Sequence, residues 1–375
     1  MIKNLPQGWR VEELGNLCNI TTGKKDANFG TLDGKYLFFT CAAKPIKSDS
    51  YSFTGKSILL AGNGNLENIF LYDGKFEAYQ RTYILQNLNN FLLYEYLFYN
   101  LKKYWVKYNN LKQYGSIINY IKMENIANYQ IPIPPISQQE KIVKVLDNSA
   151  SLVEQQKQLI EKYDVFLKSK FIEIFGDPIT NPMRWETIEL GKLGLWKGGG
   201  TPPRAHPEFF KGNIPWITTT SLGKLYIDQS NAVEFITNEA ILNSATKLIP
   251  INSIIIGTRV GVGKVSINTQ ELCTNQDIMS LTNIVNKVIP IYLYYFISFY
   301  NETLKNQQRG ATIQGITAPV LKQLEIALPP IDLQNKFASI VEKIEAIKEK
   351  ETQKLNHLET LHVSLMDKAF KGEIV

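Results

Sequence analysis

At 375 residues and 44% hydrophobic content, the chain has enough apolar material for more than one packed domain, which excludes a disordered protein. Its three cysteines, Cys18, Cys41 and Cys273, form no CxxC pair; this excludes a disulfide framework and a cysteine zinc site and predicts a reducing, cytoplasmic setting. The net charge of +6 is concentrated in two stretches, with fifteen Lys/Arg against ten Asp/Glu in residues 1–136 and thirteen against eleven in 177–331. Such an excess favours a polyanionic partner there.

The chain opens on a Pro-Gly turn rather than a basic and apolar leader, so no secretory signal is expected. The most apolar runs, 91–99 and 288–300, fall short of the ~20 residues that cross a bilayer, so no membrane partner is expected either. Gly8-Trp9 leads into Glu13-Leu14-Gly15-Asn16-Leu17, and much later Arg184-Trp185 leads into Glu189-Leu190-Gly191-Lys192-Leu193. Glycine loops follow in both places, Thr21-Thr22-Gly23-Lys24-Lys25 and Lys197-Gly198-Gly199-Gly200-Thr201-Pro202-Pro203. Short β-like runs come next, at 36–40 and 214–219, and then Ser57-Ile58-Leu59-Leu60-Ala61-Gly62 and Ser253-Ile254-Ile255-Ile256-Gly257. These last two read as buried strands ended by glycine turns. Gln80-Arg81 and Asn275-Gln276-Asp277 hold similar places further on, ahead of aromatic-rich helices expected at 91–104 and 290–301.

Each half then passes a glycine turn, at Gly115 and at Gly310, and reaches Ile133-Pro134-Pro135-Ile136-Ser137-Gln138-Gln139 or Leu328-Pro329-Pro330-Ile331-Asp332-Leu333-Gln334. Ser137 and Asp332 are expected to cap helices that the Pro-Pro pairs cannot enter. About forty proline-free residues follow each, with apolar positions spaced three and four apart: Ile142, Leu146, Val153, Ile160 and Leu167 in the first, and Phe337, Ile344, Leu358 and Leu365 in the second. One narrow apolar seam on a long helix predicts a coiled coil, each helix about 57 Å long at 1.5 Å per residue. The chain is a tandem repeat of globular part and long helix, with an insertion in the second globular part.

Cofactor and catalytic motifs are missing from the sequence. Gly257 to Lys264 has its first glycine one position too early for a phosphate loop, and Val265 stands where a metal-holding Ser or Thr belongs. Gly62-Asn63-Gly64 lacks the third glycine of a dinucleotide fingerprint, and no Asn-Pro-Pro-Tyr-like methylation loop occurs. With only His206, His357 and His362, there is little material for a histidine-based metal or catalytic site. No cofactor, no metal and no catalysis are expected.

The repeated frame resembles the DNA-specificity subunit of Type I restriction–modification systems over the whole chain. Gly198-Gly199-Gly200-Thr201-Pro202, Ile214-Pro215-Trp216-Ile217 and the twice-used Pro-Pro-Ile-x-x-Gln helix starts carry that resemblance. It implies an α+β protein with two globular α/β target-recognition domains in tandem, at 1–136 and 177–331. Between them it implies spacer helices, at 137–176 and 332–375, forming an antiparallel coiled coil. It further implies a split double-stranded DNA target, two docked DNA methyltransferase subunits and, through them, restriction–translocase subunits. The first domain lacks the Gly-Gly-Thr-Pro loop and resembles a different recognition subtype, which implies unlike half-sites. Arg, Asn, Gln, Lys and Thr are the residue types that read base edges or hold phosphates. The DNA-contact candidates are therefore Lys24, Lys25, Asn63, Asn65, Gln80 and Arg81 in the first domain, and Arg204, Thr219, Arg259, Gln276 and Arg309 in the second. For each, the competing reading is a surface or turn-stabilising residue. The other readings are a restriction enzyme's recognition part with associated catalysis, and a coiled-coil adaptor that binds no DNA.

Overall fold

The structure, a computed structural model, describes residues 5–110, 120–259, 262–307 and 318–374, with backbone alone at 302–307. It divides into two compact units, Met1–Gln158 with Thr352–Val375, and Leu159–Glu351.

The first unit contains β1 (Arg10–Glu13), β2 (Asn19–Thr22), β3 (Tyr36–Phe39), β4 (Ile46–Ser48), β5 (Phe53–Thr54), β6 (Ser57–Ala61), β7 (Ile69–Tyr72), β8 (Lys75–Ala78) and β9 (Thr82–Gln86). Helices α1 (Tyr94–Asn109) and α2 (Met123–Ala127), strand β10 (Gln130–Ile133) and the start of α3 (Ile136–Phe175) complete it in order. One sheet runs β2-β9-β6-β7, a second runs β4-β3-β8-β5, and β1 pairs with β10. The second unit has β11 (Thr187–Glu189), β12 (Leu195–Gly198), β13 (Ile214–Ile217), β14 (Tyr226–Ile227), β15 (Glu234–Ile236), α4 (Asn238–Leu242), β16 (Leu248–Ile249) and β17 (Ile254–Gly257). Then come β18 (Val265–Asn268), β19 (Leu272–Thr274), β20 (Ile278–Thr282), α5 (Pro290–Gln307), α6 (Ala318–Lys322), β21 (Glu325–Ala327) and α7 (Ile331–Phe370).

The strand orders of the second unit are β12-β20-β17-β18-β14, β15-β13-β19-β16 and β11-β21. They match the first unit strand for strand, with β14 added at one edge. The inserted residues are therefore the segment between β13 and β17 that carries β14 and α4. The two interiors, unlike in sequence, share one topology.

Alternation explains why β6 and β17 are apolar without a break. Successive side chains leave a strand on opposite faces. Ile58 and Leu60 join the core beneath α1, while Leu59 joins Phe39 and Phe76 on the other side. In the second unit Ile254 and Ile256 face the core around Tyr292 and Phe296, and Ile255 packs with Ile217. Both faces are covered, so the central positions of these strands are apolar; each such side chain contributes ~1.5–3 kcal/mol on burial.

The long helices are tied to the globular parts by a buried glutamine. Gln139 Nε2 donates to the carbonyls of Phe91 at 2.8 Å and Pro134 at 2.9 Å, and its Oε1 accepts from the Leu93 N–H at 2.9 Å. Gln334 repeats this, donating to Lys287 at 3.1 Å and Pro329 at 2.8 Å and accepting from the Ile289 N–H at 3.0 Å. The start of each aromatic helix is thereby fixed to the start of each long one. Tyr96 and Tyr292 add hydroxyl bonds to the carbonyls of Pro132 at 2.6 Å and Ala327 at 2.8 Å.

The helix starts differ from expectation. The Pro135 carbonyl accepts from Gln139 N at 3.0 Å and the Pro330 carbonyl from Gln334 N at 3.2 Å, so the prolines occupy the cap positions. Ser137 and Asp332 lie inside the first turn, where Asp332 still complements the helix dipole. The aromatic helix of the first unit begins at Tyr94 rather than Phe91, because Leu92 N closes a turn on Asn89 at 3.0 Å.

Within each unit the segments of α3 and α7 pack antiparallel. In the first, Ser149 Oγ and His362 Nδ1 lie 2.7 Å apart, and Lys157 pairs with Glu359 at 2.8 Å. In the second, Lys348 pairs with Asp164 at 2.6 Å, and the Phe171 and Phe337 rings meet edge to face at 5.5 Å. The expected seam is only part of the arrangement. Ile142 and Leu146 are buried in the first unit's globular core and Leu167 and Phe337 in the second's, since the aromatic helices cover them. Val153, Ile160, Ile344, Leu358 and Leu365 are half-buried along the helices. Among the described residues no helix is long and apolar enough to cross a membrane.

Two outcomes follow from these contacts. Gln139→Leu or Gln334→Leu strands one N–H and two carbonyls in the core; at ~1–3 kcal/mol per stranded group, each variant should lose about 3 kcal/mol or more of unfolding free energy. A denaturant titration that registers a loss below about 1 kcal/mol would remove the clamp from this role. Burial also lowers the His362 imidazole below its ordinary value of 6.5. The unfolded chain takes up that proton first, so stability is full above the ordinary histidine value and declines as pH falls through it. His362→Asn should flatten this decline between pH 7.5 and 5.5, and an unchanged slope would show that His362 is not its source.

Candidate nucleic-acid interface

Four strand ends of the first unit meet at one rim through backbone bonds. Gly23 N donates to the Thr82 carbonyl at 3.0 Å, Lys24 N to Ala78 at 3.1 Å, Gln80 N to Lys25 at 2.9 Å, and Gly62 N to Arg81 at 2.9 Å. Only glycine fits at 23, because a Cβ there would lie 2.2 Å from the carbonyl oxygens of Ala78 and Tyr79. The close approach places Lys24, Lys25, Asn63, Gln80 and Arg81 side by side.

Lys24, Gln80 and Arg81 are exposed, and Lys25 and Asn63 are half-exposed. Lys25 Nζ sits 4.4 Å over the Phe29 ring, and Gln80 Nε2 donates to Asp26 Oδ1 at 3.1 Å. Arg81 has no ion pair or side-chain hydrogen bond among the described residues. With Gln80, Tyr83, Tyr120 and Lys122 it lines a depression of about 480 Å³. Burial raises the Tyr83 hydroxyl above its ordinary range while the Arg81 charge opposes the rise, which places that charge beside the ring. Asn65 is committed locally, its Oδ1 accepting from Glu67 N at 3.0 Å in a tight turn.

The second unit builds the same rim. Gly199 N donates to Ile278 at 3.1 Å, Gly200 N to Thr274 at 2.8 Å, and Thr258 N to Asp277 at 2.8 Å. A Cβ on Gly199 would lie 2.0 Å from the Asn275 carbonyl oxygen, so Gly199 stands where Gly23 does. By these bonds Gln276 takes the place of Gln80, Asp277 that of Arg81, and Arg259 that of Asn63. Thr201 Oγ1 donates to Gln276 Oε1, and Arg259 and Gln276 are both exposed. Asp277 Oδ2 accepts from Asn275 Nδ2 at 3.2 Å.

Of the other expected contacts in the second domain, one is already paired and one is buried. Arg204 gives both guanidinium arms to Glu234, at 2.8 and 2.6 Å, and lies 4.1 Å over the Phe210 ring. The fork that would grip guanine or phosphate is already filled, and its charge holds the Glu234 carboxyl below the ordinary range. Thr219 is 4% exposed in a one-turn helix, so its hydroxyl does not reach a base without opening that turn. Arg309, with the turns at Gly115 and Gly310, lies outside the described residues. Sequence reasoning passed over Lys122 and Asp277. Lys122 reaches the rim only through the fold, whereas Asp277 was visible beside Gln276. Among the described residues no group of His, Cys, Asp and Glu could hold a metal ion.

The family model for the Type I restriction modification DNA specificity domain matches residues 6–162 and 182–360, one match in each repeat. The EcoDI specificity subunit of Escherichia coli, from a Type I restriction enzyme, is 26% identical across 99% of this chain and 89% of its own length. The fold is similar to the crystal structure of the Type I restriction–modification S subunit from M. genitalium, at TM-score 0.53 and 18% identity over 99% of this chain and 97% of that one. A chain solved in a study of complex assembly and conformational transition of the type I R-M system aligns at TM-score 0.57 and 19% identity, over 99% of this chain and all of its own. The matched model spans both globular parts and most of both long helices, and the chain belongs to the family of Type I restriction–modification DNA-specificity subunits.

Proposed function

We propose that the chain reads a split double-stranded DNA target, one half-site with each globular part, and carries two DNA methyltransferase subunits, through which restriction–translocase subunits join. Residues 1–136 and 177–331 are the recognition domains in this reading, and the helices 137–176 and 332–375 carry the partners and set the half-site spacing. The role is non-catalytic and its setting cytoplasmic, in keeping with three free cysteines. One observation carries the reading. The same backbone-built rim occurs twice, and each copy presents an exposed arginine and an exposed glutamine at its strand ends. The alternative of an adaptor that ignores DNA gives no reason for two arginines at matching rims that have no side-chain partner among the described residues.

Alone, the chain should leave DNA unmodified when incubated with S-adenosylmethionine and magnesium; robust methylation would overturn the non-catalytic role. Arg81→Ala and Arg259→Ala should each weaken target binding by the assembled complex by about 1–3 kcal/mol, or roughly 5- to 150-fold, if the arginine reads guanine. If it holds phosphate instead, the loss should be sequence-independent and the salt dependence shallower by about one unit. Neither side chain is paired among the described residues, so melting temperatures should stay within about 1 °C, the size of a neutral surface change. Wild-type binding across several salt concentrations would remove that arginine from the DNA, and a lowered melting temperature would make it structural.

A further inference from the structure

We propose that Gln80 and Gln276 are equivalent base-reading residues, each recognising an adenine in the half-site read by its own domain. The proposal rests on the DNA-reading role above and goes beyond it by assigning a base class to one position in both domains. Chain numbering alone does not equate the two residues, because the insertion shifts one half against the other. The backbone does. Ala78 and Thr274 end the parallel strands β8 and β19 and accept the Lys24 and Gly200 amides, and each glutamine stands two residues further on.

Both glutamines are exposed, and both are held by the loop that follows β2 or β12. Asp26, as a carboxylate, only accepts hydrogen bonds, so it must hold the Nε2 of Gln80 and thereby orients the amide. One N–H and both Oε1 lone pairs of Gln80 then remain uncommitted among the described residues. On Gln276 the Thr201 hydroxyl donates to Oε1, leaving both N–H groups and one lone pair. Either arrangement supplies one donor and one acceptor from a single amide. Adenine asks for that pair in the major groove, accepting at N7 and donating from its N6 amino group.

The neighbouring positions differ. Arg81 is matched by Asp277, and Asn63 by Arg259, so the residue that follows the glutamine is a cation in the first domain and an anion in the second. Arginine suits guanine and aspartate the amino group of cytosine. The two half-sites should therefore share an A·T pair at a corresponding position and differ next to it.

The test is selection of methylated or bound sites from a DNA library randomised in both half-sites, using the subunit assembled with its methyltransferase partners. Gln80→Ala should relax one A·T position in one half-site by roughly tenfold or more, and Gln276→Ala the corresponding position in the other, each leaving the opposite half-site intact. Gln80→Arg and Gln276→Arg should move the preference at that position towards G·C, a change no structural role would produce. Uniform weakening without a change of base, an unchanged preference in all four variants, or wild-type half-sites with no shared A·T pair would each overturn the proposal. If the wild-type assembly selects no sequence at all, the DNA-reading role itself fails; if it selects a split site that the glutamine variants leave untouched, only the adenine assignment does.

Discussion

The molecule depends on a glutamine side chain that has no access to water. Gln139 and Gln334 each satisfy one amide N–H and two carbonyls at the junction of aromatic helix, proline turn and long helix. An apolar residue would strand those backbone groups, and a charged one would need its charge desolvated. A single amide, with two N–H donors and a carbonyl acceptor, meets all three backbone groups at the junction. Rigidity at this point suits a protein that holds recognition surfaces on helices, because slack at the joint would blur where each surface meets DNA.

Rigidity continues into the rim by another route. Strand ends β2, β8 and β9 in the first unit, and β12, β19 and β20 in the second, are knitted by backbone amides at 2.8–3.1 Å. Glycines at 23 and 199 permit the close approach. The scaffold owes nothing to the side chains it displays. The rim's strand ends are placed by backbone bonds, and an arginine without a side-chain partner among the described residues retains its full donor set for nucleic acid.

The range of each interaction decides how much of the structure is legible in the sequence. The Pro-Pro-Ile-x-x-Gln starts and the unbroken apolar runs of β6 and β17 are local signals, and both lie where the pattern puts them. The capping error was local as well. A Pro-Pro pair reads as a barrier, yet the carbonyl of its second proline takes the first helical bond. The pairing of the long helices was legible, but a three-four spacing does not say which further neighbours cover the seam. For Ile142 and Leu167 the neighbours include aromatic helices, not the partner helix alone. Neither the pairing of Arg204 nor the burial of Thr219 could be read from the chain: the carboxylate that fills the guanidinium fork lies 30 residues on, within the insertion. Nor could the chain show that its two unlike interiors share a strand order, because hydrogen-bond pairing between distant strands leaves no mark in composition.

That shared order changes the meaning of the difference between the halves. The absence of the Gly-Gly-Thr-Pro loop from the first half suggested a separate subtype, yet the bonds from Gly23 and Lys24 to Thr82 and Ala78 are those from Gly199 and Gly200 to Ile278 and Thr274. What differs is which side chain stands on each peg: asparagine then arginine in the first domain, arginine then aspartate in the second. Exposed residues on a backbone-held rim can be exchanged at little cost, within about 0.5 kcal/mol for most surface positions, whereas Gln139 and Gly23 cannot. A fold built this way separates what must be kept for stability from what can vary for recognition. One architecture can then present two different hydrogen-bonding faces without being rebuilt.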